Sequence, residues 1–170
     1  MHWRRTLFEE MKRKLLAGET TFSEALPSAL PNLRGKIPDE KLLWLSNELQ
    51  GYQQALDFYQ MDNHDLPVYR IVPGDLYLMR ADGNCEEINH PYARRDKYFL
   101  SAPIHWLEDW STHPDETSIV ELPELSTFMA QAGGGIVCFC PRSELKRIIA
   151  QFRNDFIQLL DEAERAGAAS

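Results

Sequence analysis

Hydrophobic residues at helical spacing open the chain. Between about residues 4 and 16, Leu7, Phe8, Met11 and Leu15 share one side, with Glu9/Arg13 and Glu10/Lys14 as i,i+4 pairs on the other. This pattern predicts an amphipathic helix, stopped at Gly18. Thr20, Thr21 and Ser23 supply caps for a second helix carrying Phe22, Ala25, Leu26, Ala29 and Leu30, which Pro27 and Pro31 keep short or kinked. A third helix is predicted from Pro38. Asp39 and Glu40 suit the positive end of its dipole, Leu42, Leu45 and Leu49 form its buried stripe, and Gly51 ends it.

Residues 51 to 65 lose this period, and Leu66-Pro67 marks an extended entry into a β-rich stretch. Strands are predicted over residues 68 to 72 and 75 to 80, separated by a turn or bulge at Pro73-Gly74, with a further turn over residues 81 to 84. Tyr98-Phe99-Leu100 reads as another short strand, and Pro103 as the opening of a helical turn through Ile104, Trp106 and Leu107. Residues 111 to 117 read as a polar loop and residues 122 to 132 as a short helix. The triple glycine at 133 to 135 reads as a flexible hairpin or loop leading into a strand over residues 136 to 140. From Arg142 to about Arg165, Leu145, Ile148, Ile149, Phe152, Phe156, Leu159, Leu160 and Ala163 keep the 3.6 period, a long amphipathic helix that anchors the core. The class expected is α+β: N-terminal helices, a small mostly antiparallel sheet and a long C-terminal amphipathic helix.

Composition narrows the function classes. A chain of 170 residues, 44% hydrophobic and 26% charged, suits one folding unit over residues 1 to 170, and neither a disordered nor a collagen-like protein. The net charge of −8 makes long-range attraction to nucleic acid or an anionic membrane a poor expectation. The acid is concentrated in residues 51 to 120, which carry 12 acidic and 5 basic side chains. Three cysteines, Cys85, Cys138 and Cys140, are an odd and sparse set that points to a reducing compartment, the cytoplasm. No apolar core follows Arg4-Arg5 as in a signal peptide, and no window reaches the roughly 18 apolar residues of a spanning helix.

Candidate chemistry is sparse. Cys138 and Cys140 share a strand face but lack a second ligand pair, so they read as half-buried thiols and no metal site is expected. Pro38-Asp39-Glu40-Lys41 reads as a capped helix start, not a nuclease motif. The glycine run feeds a strand, not the helix N-terminus a phosphate loop requires. Of the five histidines, His2, His64, His90, His105 and His113, only His105 is expected to be partly buried. Arg94, Arg95 and Lys97 interleave with Tyr92, Tyr98 and Phe99 as on a single-strand nucleic-acid platform, although a loop-to-strand junction explains them more simply. Arg4, Arg5, Lys12, Arg13 and Lys14 read as the solvated face of the first helix. Asp57, Asp62, His64 and Asp65 are the nearest approach to a catalytic cluster, and solvated loop acids explain them equally well. No catalytic residue and no cofactor is assigned.

The order of landmarks resembles the AbiTii domain family, bacterial proteins associated with abortive-infection defence against phage. The resemblance runs through Leu15-Leu16-Ala17-Gly18-Glu19-Thr20, Ser23-Glu24-Ala25-Leu26, Trp44-Leu45-Ser46-Asn47-Glu48-Leu49-Gln50-Gly51-Tyr52 and Leu66-Pro67-Val68-Tyr69-Arg70. It resumes at Ala102-Pro103-Ile104 and Pro141-Arg142-Ser143-Glu144-Leu145, and so spans roughly residues 7 to 165. It implies a component of anti-phage defence that acts as a non-catalytic binding, sensing or regulatory domain, with a protein partner encoded nearby or a second copy. The alternative within that context is a toxic effector with nuclease or nucleotide-degrading activity. The resemblance transfers no catalytic residues.

The residues that carry it are Trp44, Asn47, Glu48, Tyr52, Tyr69 and Arg70, the candidate binding set. Trp44, Glu48 and Tyr52 recur at i, i+4 and i+8, on a face beside the leucine stripe. One reading has Trp44 and Tyr52 extending the core while Glu48 or Asn47 holds the Tyr69-Arg70 segment, as in a Glu48–Arg70 pair. The other has these polar groups recognise a ligand or partner protein. A regulatory domain is also expected to expose an aromatic surface, for which residues 52 to 61 are the candidate.

Overall fold

The computed structural model describes residues 6–55, 58, 66–88, 97–129 and 134–168. Three helices lead: α1 (Leu7–Ala17), α2 (Phe22–Leu33) and α3 (Asp39–Gln50). Thr6 and Glu9 close a capping box on α1: the Glu9 amide donates to Thr6 Oγ1 at 3.1 Å, and the Thr6 amide donates to Glu9 Oε2 at 3.2 Å. Phe8, Met11 and Leu15 are buried, while Leu7 is exposed. Arg13 pairs with Glu10, one turn back at i,i+3, and with Glu19 beyond the helix. Helix α2 runs unbroken through Pro27 and Pro31 because both lie on its exposed side, where a carbonyl left without its helical donor meets water.

A one-turn 3₁₀ helix (Val68–Arg70) precedes β1 (Ile71–Pro73), which pairs antiparallel with β4 (Lys97–Phe99). A separate antiparallel sheet has the order β3-β2-β6-β5, from β2 (Leu76–Arg80), β3 (Cys85–Glu87), β5 (Thr117–Glu121) and β6 (Gly134–Pro141). The handover between sheets falls at Pro73-Gly74. Gly74 has φ 144°, and a Cβ there would stand 2.8 Å from a ring carbon of the buried Tyr98, so only glycine passes over that ring. Helices α4 (Ile104–Ser111) and α5 (Pro123–Met129) precede β5 and β6, and α6 (Arg142–Ala168) closes the chain.

The fold is α+β, with a long C-terminal helix and small antiparallel sheets. All eight apolar residues predicted to anchor α6 are buried in one core cluster that runs from Phe8 to Ala163. Three expectations change. Residues 68 to 70 are a 3₁₀ turn rather than strand, β3 and β5 are additional strands, and Gly134 and Gly135 belong to β6 rather than to a flexible loop. A Cβ on Gly134 would lie 2.6 Å from the Met79 carbonyl oxygen, so close approach of β2 is what the glycine serves. Gly133 lies outside the described residues. No described helix is long and apolar enough to cross a membrane.

Candidate functional site

The candidate residues converge from three elements. Glu48, in the last turns of α3, and Arg70, at the end of the 3₁₀ turn, form an ion pair with both side chains fully buried. Arg70 Nε donates to Glu48 Oε1 and Oε2 at 3.2 and 3.1 Å, and Nη2 closes the fork on Oε2. Nη1 donates to the carbonyls of Leu100 and Ala102 at 2.7 and 2.6 Å, which ties the pair to the connection between β4 and α4. Tyr52 donates its hydroxyl to Glu48 Oε1 at 3.1 Å and offers its ring to the Arg70 guanidinium 4.9 Å away. Burial, reinforced by the negative charge of Glu48, pushes the Tyr52 hydroxyl well above the ordinary phenol range, so it stays a donor.

Tyr69 also donates to Glu48 Oε1, and its own oxygen accepts from Trp44 Nε1 at 2.9 Å. The 3₁₀ turn explains why the predicted strand is absent here. In an extended strand Tyr69 and Arg70 would point to opposite faces, whereas about 120° between successive residues of a 3₁₀ turn lets both reach one carboxylate. Pro67 sets the entry, and the Arg70 amide donates back to the Pro67 carbonyl at 3.1 Å. At the other end Gly51, with φ 98°, brings the backbone to 3.1 Å, measured from its would-be Cβ, of the Ser101 carbonyl, which accepts the Tyr52 amide at 2.9 Å. The two most specific stretches of the signature, residues 44 to 52 and 66 to 70, thus describe one buried knot that locks α3 to both strand ends. Glu48 and Arg70 are taken up by this knot and are not free to meet a ligand.

Trp44, Asn47 and Tyr69 are half-buried, and all three line an open groove of about 990 Å³ between α3 and α6, into which the largely buried Tyr52 also reaches. Leu43, Glu40 and Lys41 join from α3, and Asp155, Gln158 and Glu162 from α6. Among the described residues Glu40, Asp155 and Glu162 form no ion pair, which leaves the groove net acidic. Lys41 lies 5.8 Å over the Trp44 ring. Reading the sequence alone misses the α6 contribution. Its one trace there is the spacing of Asp155, Gln158 and Glu162, three and then four residues apart on the polar side of α6.

The other candidates separate. Tyr98 and Phe99 are fully buried, so they present no face for a base to stack on. Tyr92, Arg94 and Arg95 lie outside the described residues. Tyr52 is buried rather than part of an exposed aromatic surface, Phe58 packs against the core, and residues 59 to 61 lie outside the described residues. So do Asp57, Asp62, His64 and Asp65, as well as Arg4 and Arg5. Cys138 and Cys140 are buried. Desolvation raises both thiols, Cys140 to about 11 and Cys138 further, so they are protonated at neutral pH rather than nucleophilic. His105 is half-buried, with Nδ1 unpartnered among the described residues.

Beside the knot, the Ser101 hydroxyl donates to both carboxylate oxygens of Glu124 at 3.1 and 3.0 Å. Burial raises this carboxyl above its ordinary value despite that bond. A raised carboxyl favours folding below its unfolded pKa, and that contribution is lost as pH rises through the folded value. Glu124→Gln is therefore expected to raise the melting temperature at pH 7, with the gain vanishing toward pH 4. A constant difference across a pH series of thermal melts would contradict this. Compared with models of known protein families, with curated proteins and with solved structures, the chain finds no match.

Proposed function

We propose that this protein is a binding, sensing or regulatory component of bacterial anti-phage defence, working in the cytoplasm through contacts with a partner protein at the groove between α3 and α6. The defence context rests on the resemblance of its signature stretches to the AbiTii domain family. The observation that carries the binding reading is the division of labour among the signature residues. Glu48 and Arg70 are consumed in a buried pair, and the Tyr69 hydroxyl, donating to Glu48 while accepting from Trp44, orients both half-buried rings along a groove of about 990 Å³ that Tyr52 also lines. Aromatic groups held rigidly in a concave surface lose little conformational freedom on binding, the property that makes them interface anchors.

Leu43 lines the same groove and is exposed, so it can be changed without disturbing the core. Leu43→Glu is expected to leave the melting temperature within about 2 °C of wild type, since surface changes typically stay within about 0.5 kcal/mol. The same variant should abolish protection against phage in a strain carrying the neighbouring genes, along with co-purification of the partner they encode. Full protection by Leu43→Glu would remove the groove from the mechanism. Growth arrest on induction of the protein alone would replace the regulatory reading with the toxic effector.

A further inference from the structure

Strand β5 ends the four-stranded sheet, and its hydrogen-bonding parity is fixed by its flanks. In one register with β6, the Leu122 amide donates to the Ile136 carbonyl at 2.8 Å, and the Arg142 amide donates to the Glu116 carbonyl at 2.7 Å. Positions 116, 118, 120 and 122 therefore face β6 with their backbone groups. The alternate positions Thr117, Ile119 and Glu121 aim their N–H and C=O groups at the opposite, outer edge. Among the described residues no strand pairs with that edge. The side chains of these three residues are exposed. Ile119 is 53% exposed, although it stands opposite Phe139, whose ring packs 5.0 Å from that of Tyr77 on the same sheet face. An edge of this kind, apolar at its centre and without lysine or proline, invites another strand.

We infer that β5 is the docking edge for a second copy of this chain, joined antiparallel about a two-fold axis through Ile119. The edge is self-complementary in that register. Ile119 faces Ile119 of the second copy and exchanges both backbone hydrogen bonds with it, while Thr117 faces Glu121, so all three outward-facing positions are satisfied at once. The Thr117 hydroxyl meets the Glu121 carboxylate, an acceptor it can serve, and no two acidic side chains stand directly opposite each other. Shifting the axis to residue 118 opposes Glu121 to Asp115, shifting it to residue 121 opposes Glu121 to itself, and shifting it to residue 120 sets Thr117 against Pro123, which has no amide to donate. The two sheets then continue as one across the axis, and the Tyr77, Phe139, Ile119 row continues into its copy. This edge lies apart from the α3–α6 groove, so groove and edge stand or fall separately.

The contact is short, at the small end of specific interfaces, so the dimer is expected to depend on concentration. Sedimentation velocity over roughly a hundredfold range of concentration should show wild type moving from 19.7 kDa toward twice that mass. Ile119→Pro deletes an amide that β6 does not use, and Ile119→Lys places a charge at the axis. Both are expected to remain monomeric with an unchanged far-ultraviolet circular dichroism spectrum. In a Cys85→Ser background, Ile119→Cys is expected to form an intermolecular disulfide under mild oxidation, and the exposed Val68→Cys is not. Wild type that stays monomeric throughout overturns the proposal. So does a folded Ile119→Lys that dimerises as wild type does, or equal cross-linking at positions 119 and 68.

Discussion

Glu48→Ala is expected to destabilise the protein by about 3–5 kcal/mol, because it leaves the Arg70 guanidinium buried and facing no carboxylate. At roughly 2–4 °C per kcal/mol for a chain of this size, the melting temperature should fall by about 10 °C. The loss is not confined to one pair. Tyr52 and Tyr69 each donate to Glu48 Oε1, so both hydroxyls lose their acceptor, and Trp44 loses the ordering of the Tyr69 oxygen it donates to. Arg70→Met is expected to cost a similar amount, stranding the carboxylate and removing the donor from the Leu100 and Ala102 carbonyls. The double variant Glu48→Met, Arg70→Met removes both charges and should recover part of the loss. Urea unfolding at pH 7 measures all three. A single-variant cost below about 1 kcal/mol would mean that the pair contributes little beyond its own burial cost.

The reach of the sequence reading follows the range of the interactions that produce each feature. The apolar face of α6 is set by contacts a turn or two apart, and every residue assigned to it is buried. The Glu48–Arg70 pair was accessible only as one of two readings of the signature: Glu48 shares a helix face with Trp44 and Tyr52 beside the leucine stripe, and an arginine in the Tyr69-Arg70 segment is a partner it can hold. The backbone of residues 68 to 70 was not accessible, because Val, Tyr and Arg carry β-favouring composition while the deciding term is a carboxylate some twenty residues earlier. Strand β5 escaped because Thr117-Ser118-Ile119-Val120-Glu121 sits at a sheet edge, where only Val120 is buried and the alternation is correspondingly faint. The groove escaped because it belongs to neither α3 nor α6 alone. It also divides the candidate set: of the six residues that looked like one site, Glu48 and Arg70 form the buried pair, while Trp44, Asn47, Tyr52 and Tyr69 line the groove beside it.

Phe152→Ala is expected to cost about 3–5 kcal/mol, the range for deleting a fully buried aromatic ring whose surroundings relax only in part. The ring is the hub of an aromatic cluster. Phe22 meets it edge-on at 4.8 Å between centroids, Trp44 lies tilted at 5.4 Å, and Phe156 stacks at 5.7 Å from the next turn of α6. Phe152→Leu keeps most of the volume and should cost markedly less, so the difference between the two variants isolates the cavity from the loss of aromatic contact. A change near zero for Phe152→Ala would contradict the placement of α6 against α2 and α3. The contact with Trp44 links the core to the knot, since Trp44 also donates to the Tyr69 hydroxyl that reaches Glu48. Phe152 and Glu48 therefore act on the same indole, one by packing and one through a hydrogen-bonded chain. Combining Phe152→Ala with Glu48→Ala should depart from additivity by about 0.5–3 kcal/mol, because whichever change comes first already loosens Trp44. Strict additivity would mean that the core and the knot hold Trp44 independently, and that an intact core alone fixes the groove.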